Sequence, residues 1–252
     1  MVKEELIQRS PVGVFMRSIQ GGLKQGELGV ISSLSGLGKT SMLVQIALDK
    51  LLQGKKIIHV SFTQHTDYVL TWYEDIFDEF IKKKNLENQQ DVKNEIIKNR
   101  VLMKFNQEGI TVDQILRSLT AMIRDGGFSA ECVIVDGYKF SPEDTEKVSK
   151  IKKFAQELGI SVWFSCTVND ESPYDKQNIP VLIKNYAELF DIIVILEPKK
   201  DHIELAISKN RGVPKLNNTD NAQTNAQQKS AASSLEHLAL RLDPKTLLIL
   251  EE

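Results

Sequence analysis

No stretch of the chain comes near the roughly 18 consecutive apolar residues that a membrane-spanning helix needs, and no charged-then-apolar leader opens it. These absences predict a soluble, cytoplasmic protein with no membrane role. Cysteine is almost missing: Cys132 and Cys166 are the only two in 252 residues. Each lies inside an apolar run, which predicts buried, reduced thiols rather than a disulfide framework. Four histidines and these two cysteines have no metal-ligand spacing, so no structural zinc is expected. An excess of one charge is lacking too. Lys and Arg number 32 against 34 Asp and Glu, leaving a net charge of −2. With no basic surplus, nucleic-acid binding would need a local patch.

What the chain has is a 41% hydrophobic content, ample for one sizeable core and small for two full domains. Apolar runs at 28–32, 57–62, 101–105, 132–136, 160–166, 191–196 and 203–207 alternate with helical patterns at 39–53, 67–84, 90–99, 111–125 and 142–158. Thr111 with Gln114 three residues on is a capping box opening the fourth helix. This alternation predicts an α/β fold in one domain spanning 1–252: a mainly parallel, doubly wound sheet flanked by helices, with its ligand at the carboxyl ends of the strands.

Two segments depart from that pattern. Residues 63–100 read as a long helical insertion whose polar run at 82–90 suggests a solvated lobe. Residues 215–234 are rich in Asn, Gln, Ala, Ser and Thr and read as a disordered loop. After it, 238–250 alternates around Asp243-Pro244-Lys245-Thr246, which predicts a C-terminal β-hairpin.

The most specific signal is Ser33-Leu34-Ser35-Gly36-Leu37-Gly38-Lys39-Thr40. It reads as a phosphate-binding P-loop, with Ser33 where the first glycine normally stands. Gly36 and Gly38 allow close approach of the backbone, so that N–H groups from Ser35 to Ser41, including that of Leu37, point at phosphate oxygens. Lys39 supplies a point charge to the β- and γ-phosphates of ATP, and the Thr40 hydroxyl is a ligand for Mg²⁺. The motif lies between an apolar strand and a helix, the order the chemistry requires. Glu131-Cys132-Val133-Ile134-Val135-Asp136 is a second apolar strand ending in an acid, and Asp136 is placed to be the Walker B carboxylate near the metal.

Together with Gly22-Leu23-Lys24-Gln25-Gly26-Glu27-Leu28, Gly109-Ile110-Thr111-Val112-Asp113-Gln114-Ile115 and Ile207-Ser208-Lys209-Asn210-Arg211-Gly212, these motifs resemble the RecA-type ATPase core. The likeness is to the ATPase domain of the DnaB replicative helicase and to KaiC-like proteins, over roughly residues 13–213. It implies a RecA-like fold and a homo-oligomer. It also implies that Lys209 and Arg211 reach the γ-phosphate bound by a neighbouring subunit. The primase-binding domain that precedes the DnaB core is expected to be absent, since the loop starts at Ser33.

The chain departs from the family where hydrolysis is concerned. The family's catalytic glutamate falls on Thr63 or Gln64, neither an acid; Gln64 orients a water but is a poor base. His65 is a substitute only if its ring turns inward. The family's polar sensor falls on Cys166, with Ser165 or Thr167 as replacements. Residues 168–184, in the place of the family's central DNA-binding loop, hold Asp170, Glu171 and Asp175 beside Lys176 and Lys184. The expectation is Mg-ATP binding with weak or absent hydrolysis, and nucleotide acting on conformation, assembly or a protein partner. A DNA-stimulated ATPase on single-stranded DNA and a nucleotide-free scaffold are the alternatives.

Overall fold

Strands buried on both faces carry apolar side chains at every position, and here successive residues feed two separate cores. Along β4 (Cys132–Asp136), Cys132 and Ile134 pack into one apolar layer while Val133 and Val135 pack into the other. The computed structural model describes residues 11–63, 65–82, 89–169, 173–212 and 240–250. Among them the other strands are β1 (Leu28–Ser33), β2 (Ile57–Ser61), β3 (Arg100–Lys104), β5 (Ser161–Thr167), β6 (Ile192–Pro198), β7 (Ile203–Asn210) and β8 (Leu240–Leu242). They form one mixed, mostly parallel sheet in the order β3-β2-β4-β5-β1-β6-β7-β8. Pairings from β3 to β6 are parallel; β6–β7 and β7–β8 are antiparallel.

Helices cover both faces, as parallel crossovers require. On one face lie α1 (Pro11–Ser18), α2 (Lys39–Leu52), α3 (Thr66–Lys82) and α4 (Gln89–Lys98); on the other lie α5 (Val112–Thr120) and α6 (Thr145–Leu158). The α5 helix starts with the expected capping box at Thr111 and Gln114 and continues as a π turn over Ala121–Asp125. No helix among the described residues is long and apolar enough to cross a membrane.

The helical pair at 63–100 is part of the main core rather than a solvated lobe. Val69, Tyr73, Ile76, Phe77 and Phe80 of α3 are buried in the same layer as α2. Residues 83–88, most of the polar run between the helices, lie outside the described residues, as does the whole of 215–234. The returning segment begins at Leu240. It makes β8, a turn, and a single antiparallel bridge from Leu242 to Ile249, so the second arm of the expected hairpin is one bridge long. Both cysteines are buried and unpaired, with burial pushing the Cys132 thiol up to about 11 and Cys166 up to about 12.

Candidate functional site

Residues 34–38 connect the carboxyl end of β1 to the start of α2. Gly36 (φ 81°) and Gly38 (φ 86°) both take left-handed backbone, which other residues adopt at a cost. Gly38 is also the N-cap of α2, and no side chain caps the helix, so its first N–H groups have no side-chain acceptor. Ser35 and Gly36 are exposed at the tip.

Lys39 folds back across this loop. Its Nζ donates to the Leu34 carbonyl (2.7 Å), to Ser33 Oγ (3.0 Å) and to the Ser33 carbonyl (3.2 Å). The residue is only 8% exposed, and among the described residues it pairs with no carboxylate. Burial pushes its pKa below the ordinary lysine value, against the opposing pull of Cys166 and Asp136. A buried ammonium held by neutral oxygens alone is an energetically incomplete arrangement, and an anion completes it.

Thr40 Oγ1 donates to Asp136 Oδ2 at 2.8 Å, reaching across β5 from the β1 loop to the end of β4. The other carboxylate oxygen, Oδ1, accepts from Ser165 Oγ at 2.7 Å, and Ser165 Oγ accepts in turn from the Gly137 N–H at 2.7 Å. Ser165 therefore orients Asp136 rather than facing outward as a phosphate contact; Thr167 is the exposed one. The donor set at this point is one hydroxyl and one carboxylate. Among the described residues no group of three or more His, Cys, Asp or Glu side chains converges. Such a set fits a hard cation that keeps water and ligand oxygens in its shell, as Mg²⁺ does, and does not fit zinc.

The remaining predicted residues separate. Ser41 turns away from the loop, and its Oγ donates to the Leu247 carbonyl at 2.9 Å. Gln64 lies outside the described residues. Its neighbour Thr63 is exposed beside Gly137, where any Cβ would stand 2.5 Å from Thr63 Oγ1. His65 does not turn inward; it is exposed and pairs with Asp67 at 3.2 Å at the start of α3. Beside Gly137 a cleft of about 460 Å³ is lined by Thr63, Tyr138, Phe140, Thr167 and Asn169 among others.

Lys209 and Arg211 are not brought to the glycine loop of their own chain. Strand β7 runs antiparallel to β6, with Asn210 opposite Ile192 at the amino end of the parallel strands. The glycine loop sits at the carboxyl end. Lys209 is buried and its Nζ donates to the Ala187 (3.0 Å) and Glu188 (3.3 Å) carbonyls. Arg211 donates through Nε and Nη2 to both oxygens of Glu27, each at 2.7 Å. It also donates to the Gly22 carbonyl (2.6 Å), the Ile19 carbonyl (3.1 Å) and Asn210 Oδ1 (3.3 Å). A guanidinium has five N–H donors, and these five bonds occupy all of them.

The segment in the place of the family's DNA-binding loop, whose mixed charge is expected to suit phosphate contact poorly, is partly a tight turn. Asp175 Oδ1 accepts from the Gln177 (2.9 Å) and Ile179 (3.0 Å) N–H groups, Tyr174 bridges to Pro180, and 3₁₀ turns follow over Val181–Leu189, kinked at Tyr186. Residues 170–172 lie outside the described residues. No family model matches the chain, and no curated protein matches it.

Proposed function

We propose that this chain is a RecA-like, DnaB-related protein that binds Mg-ATP and hydrolyses it slowly or not at all, with the nucleotide acting on conformation or assembly. The observation that carries the reading is Lys39: a buried cation resting on loop carbonyls, beside an uncapped helix start and two left-handed glycines. A polyphosphate answers each of these at once. In this reading the N–H groups of Ser35 to Ser41 and the Lys39 ammonium hold the phosphates. Thr40 and Asp136 hold Mg²⁺, which when bound supplies charge neutralisation at the phosphate oxygens.

Weak hydrolysis follows from what faces the cleft. Thr63, two residues past the end of β2, carries no carboxylate, His65 is turned to Asp67, and Asp136 already serves Thr40 and Ser165. None of these is free to take a proton from an attacking water. Arg211 adds nothing in trans unless the Glu27 pair first breaks, which favours slow turnover even in an oligomer. A homo-oligomer remains part of the proposal: Lys209 and Arg211 sit at the opposite end of the parallel strands, away from their own chain's loop, so a meeting with bound phosphate needs another copy.

The test is calorimetric titration of Mg-ATP, followed by turnover, for wild type and Lys39→Ala with and without single-stranded DNA. Binding that disappears in Lys39→Ala with negligible turnover is the expected result. Rapid, Lys39-dependent turnover stimulated by DNA would replace this reading with the motor, and no binding at all would leave the scaffold.

A further inference from the structure

Gln45 is fully buried in the middle of α2, among Val44, Ile46 and other apolar residues. A buried amide is costly without partners, and a leucine would fill similar space. Gln45 has partners, and the ones across the fold come from the C-terminal turn. Its Nε2 donates to the Leu247 carbonyl at 2.8 Å, and its Oε1 accepts from the Ile249 N–H at 3.2 Å. Ser41 Oγ donates to the same Leu247 carbonyl at 2.9 Å. Two side chains of the first turns of α2 thus grip the backbone of 247–249 on its donor and acceptor sides.

The gripped turn reaches back to the glycine loop. Leu247 has left-handed backbone (φ 55°), a costly state for a leucine, closed by the Leu247 N–H to Asp243 carbonyl bond at 2.7 Å. This conformation places Leu247 Cδ2 3.2 Å from where a Cβ on Gly38 would stand. Leu248 and Ile249 are both fully buried, so the turn is anchored in the core. Gly38 is the N-cap of α2 and joins the loop to the helix.

We propose that Gln45 is a positioning residue: it locks the C-terminal turn onto α2, and Leu247 on that turn backs Gly38, presetting the loop for phosphate. The inference rests on the nucleotide reading above. A preset loop binds more tightly because less ordering accompanies binding. By linkage, nucleotide on the loop in turn steadies the C-terminal turn, so the loop and the turn report on one another.

The experiment combines Mg-ATP titration with hydrogen exchange at the Ile249 amide for wild type, Gln45→Leu and Leu247→Gly. In Gln45→Leu the Ile249 amide is expected to lose protection without nucleotide, and Mg-ATP affinity to fall about tenfold. Leu247→Gly, which removes the side chain behind Gly38 and suits the left-handed backbone, is expected to weaken binding as well. It provides the second variant should Gln45→Leu fail to fold. A purely structural tie would lower the thermal midpoint without moving the Kd of the folded protein. Wild-type binding matched within twofold by either folded variant overturns the inference and leaves the nucleotide reading intact. Wild type that binds no Mg-ATP overturns both.

Discussion

At the two ends of the parallel strands, Arg211 and Lys39 sit in opposite states, while Lys209 at the amino end rests, like Lys39, on carbonyls. At the amino end, Arg211 has all five N–H groups occupied within the chain. Nearby, Asp191 accepts from the Leu28 N–H at 2.8 Å and from Lys152 Nζ at 2.5 Å. At the carboxyl end, Lys39 has only neutral oxygens to rest on among the described residues. The first cluster is complete as it stands and works as a clasp between α1, β1 and β7. The second leaves a positive charge without its complement. A cation's place in a motif says little about its task; whether its acceptors carry the opposite charge says much more.

The largest effect that would test this contrast is on the clasp. Arg211→Ala strands the Glu27 carboxylate in a partly buried position and is expected to cost about 3 kcal/mol of stability in chemical denaturation, at the low end for broken buried pairs. It should leave the Mg-ATP affinity of the folded protein unchanged. Burial alone would raise the Glu27 pKa, but the Arg211 bonds and the Lys24 N–H outweigh it, so the value falls below 4.5. The folded-state pKa is therefore the depressed one. Its stabilisation is present above pH 4.5 and drains away as pH falls below it. A stable Arg211→Ala protein with impaired ATP turnover would invert the assignment and restore the finger in trans.

The matching change at the other end is expected to do the reverse. Lys39→Met keeps most of the stem and removes an uncompensated buried charge. Apo stability should hold or rise by about 1 kcal/mol, while Mg-ATP affinity falls by at least about a hundredfold. Thermal melts of both proteins with and without Mg-ATP check the two halves together. A Lys39→Met protein that melts well below wild type would mean the lysine is a structural strut like Arg211.

The alternation of short apolar runs with amphipathic stretches made most of the fold legible in sequence, because a sheet buried on both faces leaves such runs at each strand. The places of the glycine loop, between β1 and α2, and of Asp136, at the end of β4, were legible for a different reason: glycines and a lone acid punctuate apolar runs there in one local order. The clasp that Arg211 makes was not legible because its partners, Glu27 and the carbonyls of Ile19 and Gly22, are about 190 residues away in sequence. Gln45 and Leu247 gave no signal at all. A glutamine in a helix looks solvent-facing until all of its neighbours are known to be buried, and Leu247 shows its strain only in its backbone. The solvated lobe was inferred from the polar run between two helices, although the apolar faces of those helices decide where the pair packs.

A third buried group falls between the two ends. His59, in the middle of β2, has Nδ1 3.1 Å from the Tyr73 hydroxyl, while Nε2 has no hydrogen-bond partner among the described residues. Burial pushes its pKa down to about 4; Asp136 pulls against the shift and Arg100, which lies over the Tyr73 ring, adds to it. The native ring stays neutral while the unfolded one takes a proton below about 6.5. Stability is therefore fully present above pH 6.5 and lost as pH falls toward 4. Between pH 6.5 and 5 the loss should be about 2 kcal/mol, well above the window in which Glu27 acts. Denaturation of His59→Phe should lack this slope; an unchanged slope would assign the acid sensitivity elsewhere.

The smallest expected effect separates a poised site from a saturated one at a single carboxylate. Ser165 holds Asp136 Oδ1 and is itself fixed by the Gly137 N–H, so it sets the direction in which Oδ2 faces Thr40. Ser165→Ala keeps the charge and removes the guide. It should weaken the Mg²⁺-dependent part of ATP binding by about fivefold, near 1 kcal/mol, and leave binding measured in EDTA unchanged. If binding in EDTA falls as much as binding with Mg²⁺, Ser165 touches the phosphates directly and Asp136 needs no guide. If neither changes, Thr40 alone is enough to hold the carboxylate. Only the first pattern, a loss confined to the metal-dependent term, fits a carboxyl end whose groups are aligned but not yet complete.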